Sequence, residues 1–282
     1  MEYKTIYTPN QRFKVNIFKT WYIMFRNVYD YRELIFQLFK RDFLMTYKKS
    51  FLGIAWILIT PLVGIVNWAF LNYTGVLDPG ETTIPYPAYV LLSTSIWGLF
   101  MGFYVASSNT LNAGAGFIMQ VKFPHEALLF KENFQHLVNF TISFVIIITT
   151  LMLFGVKFSF LSIFFPLTIL PLFFLGSSIG LIVGVINIVA VDIGRVINKL
   201  MELLLYVTPV LFASNTENEN LQIALKYNPL TYLLGVARDL LIEKNVQNLD
   251  IYLIISLVTF LIFLLALRLF YVSEDRVIEK MI

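Results

Sequence analysis

Apolar and polar positions along this chain are sorted into long blocks instead of alternating within short windows. A mixed, charged stretch from Arg32 to Lys49 gives way at Ile54 to a run with no charge before Asp78. Further apolar runs follow at Ala88–Leu111, Leu137–Phe154, Phe158–Val191, Ile197–Phe212 and Ile251–Tyr271. A bilayer crossing takes about 20 mainly apolar residues, so these runs predict membrane helices. Phe158–Val191 is too long for one upright helix and barely long enough for two. Pro166 and Pro171 stand in its first half, where a helix kinks or begins. The run reads as a short lead-in and one span.

The basic residues then choose the topology. With six spans and the N-terminus inside, seventeen of the 21 Lys and Arg residues fall on the inner side. Lys157, Lys226, Arg238 and Lys244 remain outside. Splitting the long run would carry Arg195, Lys199 and the tail outward, against the positive-inside rule. The expectation is an all-α integral membrane protein with six transmembrane helices and both termini cytoplasmic. Its spans lie at about 54–73, 88–111, 137–154, 168–191, 197–212 and 251–271. Residues 1–30 form a cytoplasmic arm, and residues 31–50 a basic amphipathic helix on the membrane surface. Met1–Lys49 lacks the short apolar core of a cleavable signal peptide.

Two segments read as helices that do not span. Phe123–Glu132 is expected to be a short cytoplasmic helix, with Pro124 in its first turn and Glu126 at its positive end. Residues 213–249 form an outer region. Within it Leu230–Ile242 is too short to cross and reads as re-entrant or interfacial, with Arg238 and Asp239 near a water-filled opening.

Chemistry is narrowed mainly by what the chain lacks. Charged residues are 14% of the total, against about 25% in soluble chains, and a net charge of +3 does not suggest a nucleic-acid partner. With no cysteine there is no disulfide framework or thiolate site. No GxxxxGK[ST] pattern is present, so the chain carries no P-loop. His125 and His136 fit no metal-ligand pattern, and neither a metal nor a cofactor is expected on this chain. No chain of intramembrane acids marks an ion-coupled carrier. Asp192, Arg195, Lys199 and Glu202 form a compact cluster with two readings. Helical spacing lets them neutralise one another locally, or they form a polar ring at the inner mouth of a path. Trp56, Tyr73, Tyr206 and Phe212 likewise read as membrane packing or as flat faces along that path.

The stretch RELIFQLFKRDF…YKKSFLGIAW…P (Arg32–Pro61) resembles the opening of permease subunits of type-2 ABC exporters of polysaccharides, which carry O-antigen, capsule or teichoic acid. The matching residues are Arg41-Asp42, Tyr47, Leu52-Gly53, Trp56 and Pro61. Three more stretches match in order: VKFPHEALLF (Val121–Phe130), DIGRVINKLMELLLYVTPVLF (Asp192–Phe212) and YNPLTYLLGVARDLLI (Tyr227–Ile242). Thr46, His125 and Val191 depart from the pattern, standing where arginine is common.

The resemblance implies a homodimer in the inner membrane of a bacterium, docked on two copies of a separate P-loop ATPase that binds ATP and Mg. Arg41 and Asp42 of the interface helix would meet the ATPase, as would Phe123, Pro124, His125, Glu126 and Leu129 of a coupling helix. Lys48, Lys49, Leu52 and Gly53 would form the entrance for a lipid-pyrophosphate headgroup, the two lysines binding it or anionic membrane lipids. Trp56, Tyr73, Tyr206 and Phe212 would line the path of a lipid-linked polysaccharide. Asn228, Pro229, Arg238 and Asp239 would belong to an outer gate. Two alternatives stand beside this: a type-2 ABC exporter of a drug or small lipid, and a membrane-bound glycosyl- or acyltransferase.

Overall fold

The computed structural model describes residues 12–48, 51–118, 124–214, 218–242 and 246–281, and among these every regular element is helical. Helix α1 (Ile17–Asp30) and α2 (Arg32–Lys48) precede α3 (Trp56–Tyr73). Between α2 and α3, Gly53 adopts a φ of +52°, a conformation natural to glycine, and lets the chain turn into the bundle. At its centre lies α4 (Tyr86–Ile118), whose Ala88, Val90, Leu91, Leu92 and Phe100 are completely buried.

Helix α6 (Phe165–Val189) runs parallel to α4 and very close to it. A Cβ at Gly176 would sit 2.8 Å from the Phe100 carbonyl oxygen, and one at Gly184 2.9 Å from that of Ser108. Small residues spaced by four, with Gly180 between them, are what allow two membrane helices to approach this closely. Helix α5 (His125–Leu153) joins them through a buried amide. Asn133 donates to Ser107 Oγ of α4 at 3.2 Å and accepts from Ser177 Oγ of α6 at 3.3 Å. A polar group buried in an apolar bundle has to find such partners.

Among the described residues four helices are long and apolar enough to cross a membrane: Tyr86–Leu111, His125–Leu153, Phe160–Val189 and Leu249–Ser273. The 18-residue α3 is about 27 Å long at 1.5 Å per residue. The long apolar run forms a 3-10 turn, Phe160–Phe164, and then the single helix α6.

Two expectations need correction. The helix expected over Phe123–Glu132 is not separate: from His125 onward it is the start of α5, because no glycine or proline interrupts the chain before Leu137. The fifth run is not a continuous helix. Helix α7 (Val191–Leu203) passes into a 3-10 turn, Leu204–Val207, and the backbone is extended at Thr208 (φ −123°, ψ 140°). The residue before a proline is driven out of the helical region, and Pro209 follows. The N-terminal arm contains α1, begun by Asn16, whose side-chain oxygen accepts from the Phe18 N–H at 3.3 Å.

Helix α1 is fastened to α10 (Leu249–Met281) and to the start of α5. Trp21 Nε1 donates to the Leu264 carbonyl at 3.0 Å, and Arg268 donates to Thr20 Oγ1 and, at 3.0 Å, to the Phe13 carbonyl. Asn27 Nδ2 donates to Glu126 Oε1 at 2.6 Å. At the opposite end of the bundle, α8 (Glu219–Tyr227) leads into α9 (Pro229–Ile242), which packs on α4, α6 and α10.

Candidate functional site

The break after α7 sets the first problem of the site. Carbonyls that leave a helix inside a membrane bundle must find other donors. Here the carbonyls of Val207, Pro209, Leu211 and Phe212 each receive a side chain from α4, α9 or the turn before α9, and that of Thr208 accepts from the Val210 N–H. Asn228 Nδ2 donates to the Val207 carbonyl at 2.9 Å and to Thr208 Oγ1 at 2.8 Å. Tyr86 donates to the Leu211 carbonyl at 3.2 Å. The Tyr89 hydroxyl lies 2.8 Å from the Phe212 carbonyl and 3.2 Å from that of Pro209. A phenol donates one proton at a time, so the shorter contact takes it. Arg238 serves the other, donating to the Pro209 carbonyl at 3.3 Å, to Ser93 Oγ at 3.4 Å and to the Tyr89 oxygen at 2.5 Å. Its guanidinium also lies 4.5 Å from the centre of the Tyr89 ring.

Arg238 and Asp239 are both 9% exposed and border a cavity of about 240 Å³, together with Tyr89, Thr231, Gln247 and Asn248. Asp239 accepts from the Gln247 N–H at 3.4 Å. Asn228 also accepts from the Leu230 N–H at 3.0 Å, starting α9 with Pro229 in its first turn, where a missing N–H is harmless. The structure thus gathers Asn228, Pro229, Arg238 and Asp239 around the broken segment. Sequence reasoning missed Tyr86 and Tyr89, two phenols in an otherwise apolar run, which need a partner once buried.

The α2 end of the bundle is built differently. Asp42 accepts from Lys131 Nζ at 2.7 Å and from Arg41 Nε at 2.8 Å, and Lys131 also pairs with Glu132 at 2.6 Å. Partial burial would raise the Asp42 carboxyl, but hydrogen bonds from Arg41 and Lys131 outweigh it and hold the group below its ordinary range. Leu38 of α2 packs on Ala127 and Leu128 of α5. Leu129 is 1% exposed and packs with Met24 of α1, Leu181 of α6 and Phe270 of α10. His125 and Glu126 are equally buried. These three were read as surface contacts for a partner, but α1 and α2 enclose the start of α5. Arg41, Asp42 and Pro124 keep exposed or half-exposed positions. Phe123 and Lys49 lie outside the described residues, whereas Lys48 and Leu52 are exposed beside the half-buried Gly53.

The residues read as a path do not cluster within one chain. Trp56 and Tyr73 are exposed at opposite ends of α3, about 25 Å apart along its axis. Tyr206 is exposed at the break after α7, and Phe212 is half-buried beside it. Helix α3 packs on α4 and α5, whereas α7 packs on α6. Within α7, Asp192, Arg195, Lys199 and Glu202 repeat at helical spacing and are all exposed, paired at 3.2 Å (Arg195–Asp192) and 2.8 Å (Lys199–Glu202). Beside this stripe runs an exposed apolar one, Ile193, Val196, Leu200 and Leu203. Tyr104, inside the α4 span, donates to Asn198 between these charges, which fixes α7 against the bundle.

The fold is a helical bundle with four candidate membrane spans among the described residues, the class of an integral membrane protein. Residues 33–242 match the ABC-2 type transporter family, and the chain belongs to that family. Its similarity extends to the O-antigen export system permease protein RfbA of Myxococcus xanthus, 22% identical over 257 residues covering 90% of this chain and 98% of the relative. A protein of the same name from Klebsiella pneumoniae is 24% identical over 253 residues, covering 88% and 94%. A second Klebsiella pneumoniae RfbA is 23% identical over 217 residues, covering 76% and 82%.

Proposed function

We propose that this chain is the path-forming membrane subunit of an ATP-driven exporter that moves a lipid-linked polysaccharide across the bacterial inner membrane. It works as a homodimer on two copies of a separate P-loop ATPase, which holds ATP and Mg. The chain crosses six times, with the broken α7 segment as the fifth crossing and both termini in the cytoplasm. The observation that carries the reading is the charged stripe of α7. Charges facing away from the chain's own core where α7 enters the membrane are expensive against lipid, and a hydrated inner mouth removes that expense. The names of the relatives support a polysaccharide as cargo, and the inner-side excess of Lys and Arg supports the orientation.

In this reading the α2 end receives the work of ATP. Movement of α2 reaches α5 directly through Asp42–Lys131, and reaches α10 by way of α5 and α1. At the α9 end, Arg238, Tyr89 and Asn228 hold the unwound 207–212 segment as an outer gate. Differential contacts in the held and released states convert nucleotide energy into movement.

Deleting the gene and assaying surface glycan and intracellular lipid-linked glycan separately tests the cargo. Loss from the surface with full-length polymer accumulating inside is the expected result. Loss from both places would make the chain part of biosynthesis. Unchanged glycan in both would transfer the reading to a small-molecule exporter.

A further inference from the structure

Helix α1 lies ahead of the family-matched segment and presents two opposed faces. Thr20, Met24 and Asn27 turn toward α10 and α5. Phe18, Tyr22, Phe25 and Tyr29 fall on the other side at helical spacing and are 71%, 63%, 52% and 66% exposed. Phe25 meets Phe130 of α5 at 6.5 Å between ring centres, and the Arg32 guanidinium lies 4.4 Å from the centre of the Tyr29 ring. Yet all four rings stay more than half exposed and together form a patch suited to an apolar partner.

The attachment to α10 supplies the depth of that patch. Trp21 is bonded to Leu264, which lies within the apolar span Leu249–Ser273. At the same level α10 exposes Leu261, Leu265 and Leu269, a surface suited to acyl chains. The aromatic stripe of α1 therefore continues the apolar surface of a span, just where the uncharged stretch of that span ends at Arg268. Between Arg12 and Arg32 the segment carries five cationic side chains against one carboxylate, Asp30. Lys19 and Arg26 border the stripe along one edge. Aromatic rings at the depth of the acyl boundary with cations beside them are the pattern of a helix lying in the interface of an anionic leaflet.

We infer that α1 is an interfacial anchor whose Phe18–Tyr22–Phe25–Tyr29 face is embedded in the inner leaflet, with Lys19 and Arg26 on anionic lipid headgroups. The inference rests on the membrane location of the bundle and is independent of what the exporter carries. It ties the start of α5 and the end of α10, the helices to which movement of α2 passes, to the surface of the inner leaflet.

The chain has no cysteine, so single cysteines at positions 18, 22, 25, 29, 19 and 26 can carry a nitroxide without background. The full transporter, with its ATPase, is placed in vesicles of phosphatidylethanolamine and phosphatidylglycerol. At 18, 22, 25 and 29, collision with oxygen should exceed collision with a water-soluble nickel chelate, and the preference should reverse at 19 and 26. Replacing both lipids by phosphatidylcholine should shift the four stripe labels toward the water. The paired substitutions Lys19→Gln and Arg26→Gln should abolish that shift. Preference for nickel at the stripe would place it in the cytosol and overturn the inference. Exclusion of both reagents would mean that a protein covers the face, and would overturn it equally. Unchanged depth in phosphatidylcholine would remove the role given to the cations.

Discussion

The two ends of this bundle hold their helices by different means. At the α9 end, side chains bind main-chain carbonyls released by a broken helix: buried Arg238 and Tyr89 at Pro209 and Phe212, and half-buried Asn228 at Val207. At the α2 end, helices are tied by ion pairs of which water reaches one partner, as in Asp42–Lys131, where the lysine is buried and the carboxylate is half-exposed, and by the strap of α1. Buried networks are strong when complete and costly when half-broken. Ion pairs with a solvated partner exchange for water at little cost. One end is therefore suited to a threshold and the other to graded movement, which is the division of labour a gate and its drive require.

The sharpest way to break this contrast is Arg238→Leu. It strips the Pro209 carbonyl and the Tyr89 oxygen of their charged donor in buried surroundings, and should destabilise the protein by about 3–5 kcal/mol. Surface polysaccharide should disappear, and the unfolding temperature in detergent should fall. Wild-type export together with an unchanged midpoint would erase the distinction between the two ends. Tyr89→Phe is gentler, since it keeps the ring beneath Arg238 and removes only the hydroxyl that serves Phe212. About 1–3 kcal/mol is expected for the acceptor left unpaired, read as a smaller drop in the same thermal scan.

At the α2 end, Lys131→Met should cost only about 1 kcal/mol, because the Asp42 and Glu132 carboxylates can turn to water. Its signature should be functional, with ATP hydrolysis by the reconstituted transporter continuing while export falls. Equal losses of both would deny α2–α5 a role in transmission. The smallest effect concerns pH. Asp42 has a depressed folded pKa, so its contribution is complete above the ordinary value of 3.8 and is lost only as pH falls through the lower folded value. The stability difference between wild type and Asp42→Asn should stay constant between about pH 5 and 8. A difference that fades within that window would show that the carboxylate is not held by Arg41 and Lys131.

Much of the frame was legible because it rests on local patterns. Apolar length marks α4, α6 and α10, whereas Thr208-Pro209, which ends the helical run after α7, was read through as part of one span. Asn16 and the Thr20, Met24, Asn27 spacing announce α1 once a helix is sought there, although the mixed composition of the arm hid it. Asn228 and Arg238 were singled out through the resemblance of the segment that carries them, and the structure sets both beside the 207–212 segment. Leu129 was misplaced as a surface contact, because which side of α5 is covered depends on α1 and α2.

The apolar runs and the distribution of charge were determined by the sequence alone, because transfer into a bilayer is close to a sum over neighbouring residues. Partner choice was decided only by the tertiary structure. Arg238 meets Tyr89 across 149 positions and Tyr89 meets the Phe212 carbonyl across 123. Those pairings follow from the close approach of α4 and α6 at Gly176, Gly180 and Gly184 and from the packing of α9 against both. A buried donor takes whichever acceptor the packed helices bring within about 3 Å, and no local pattern contains that distance.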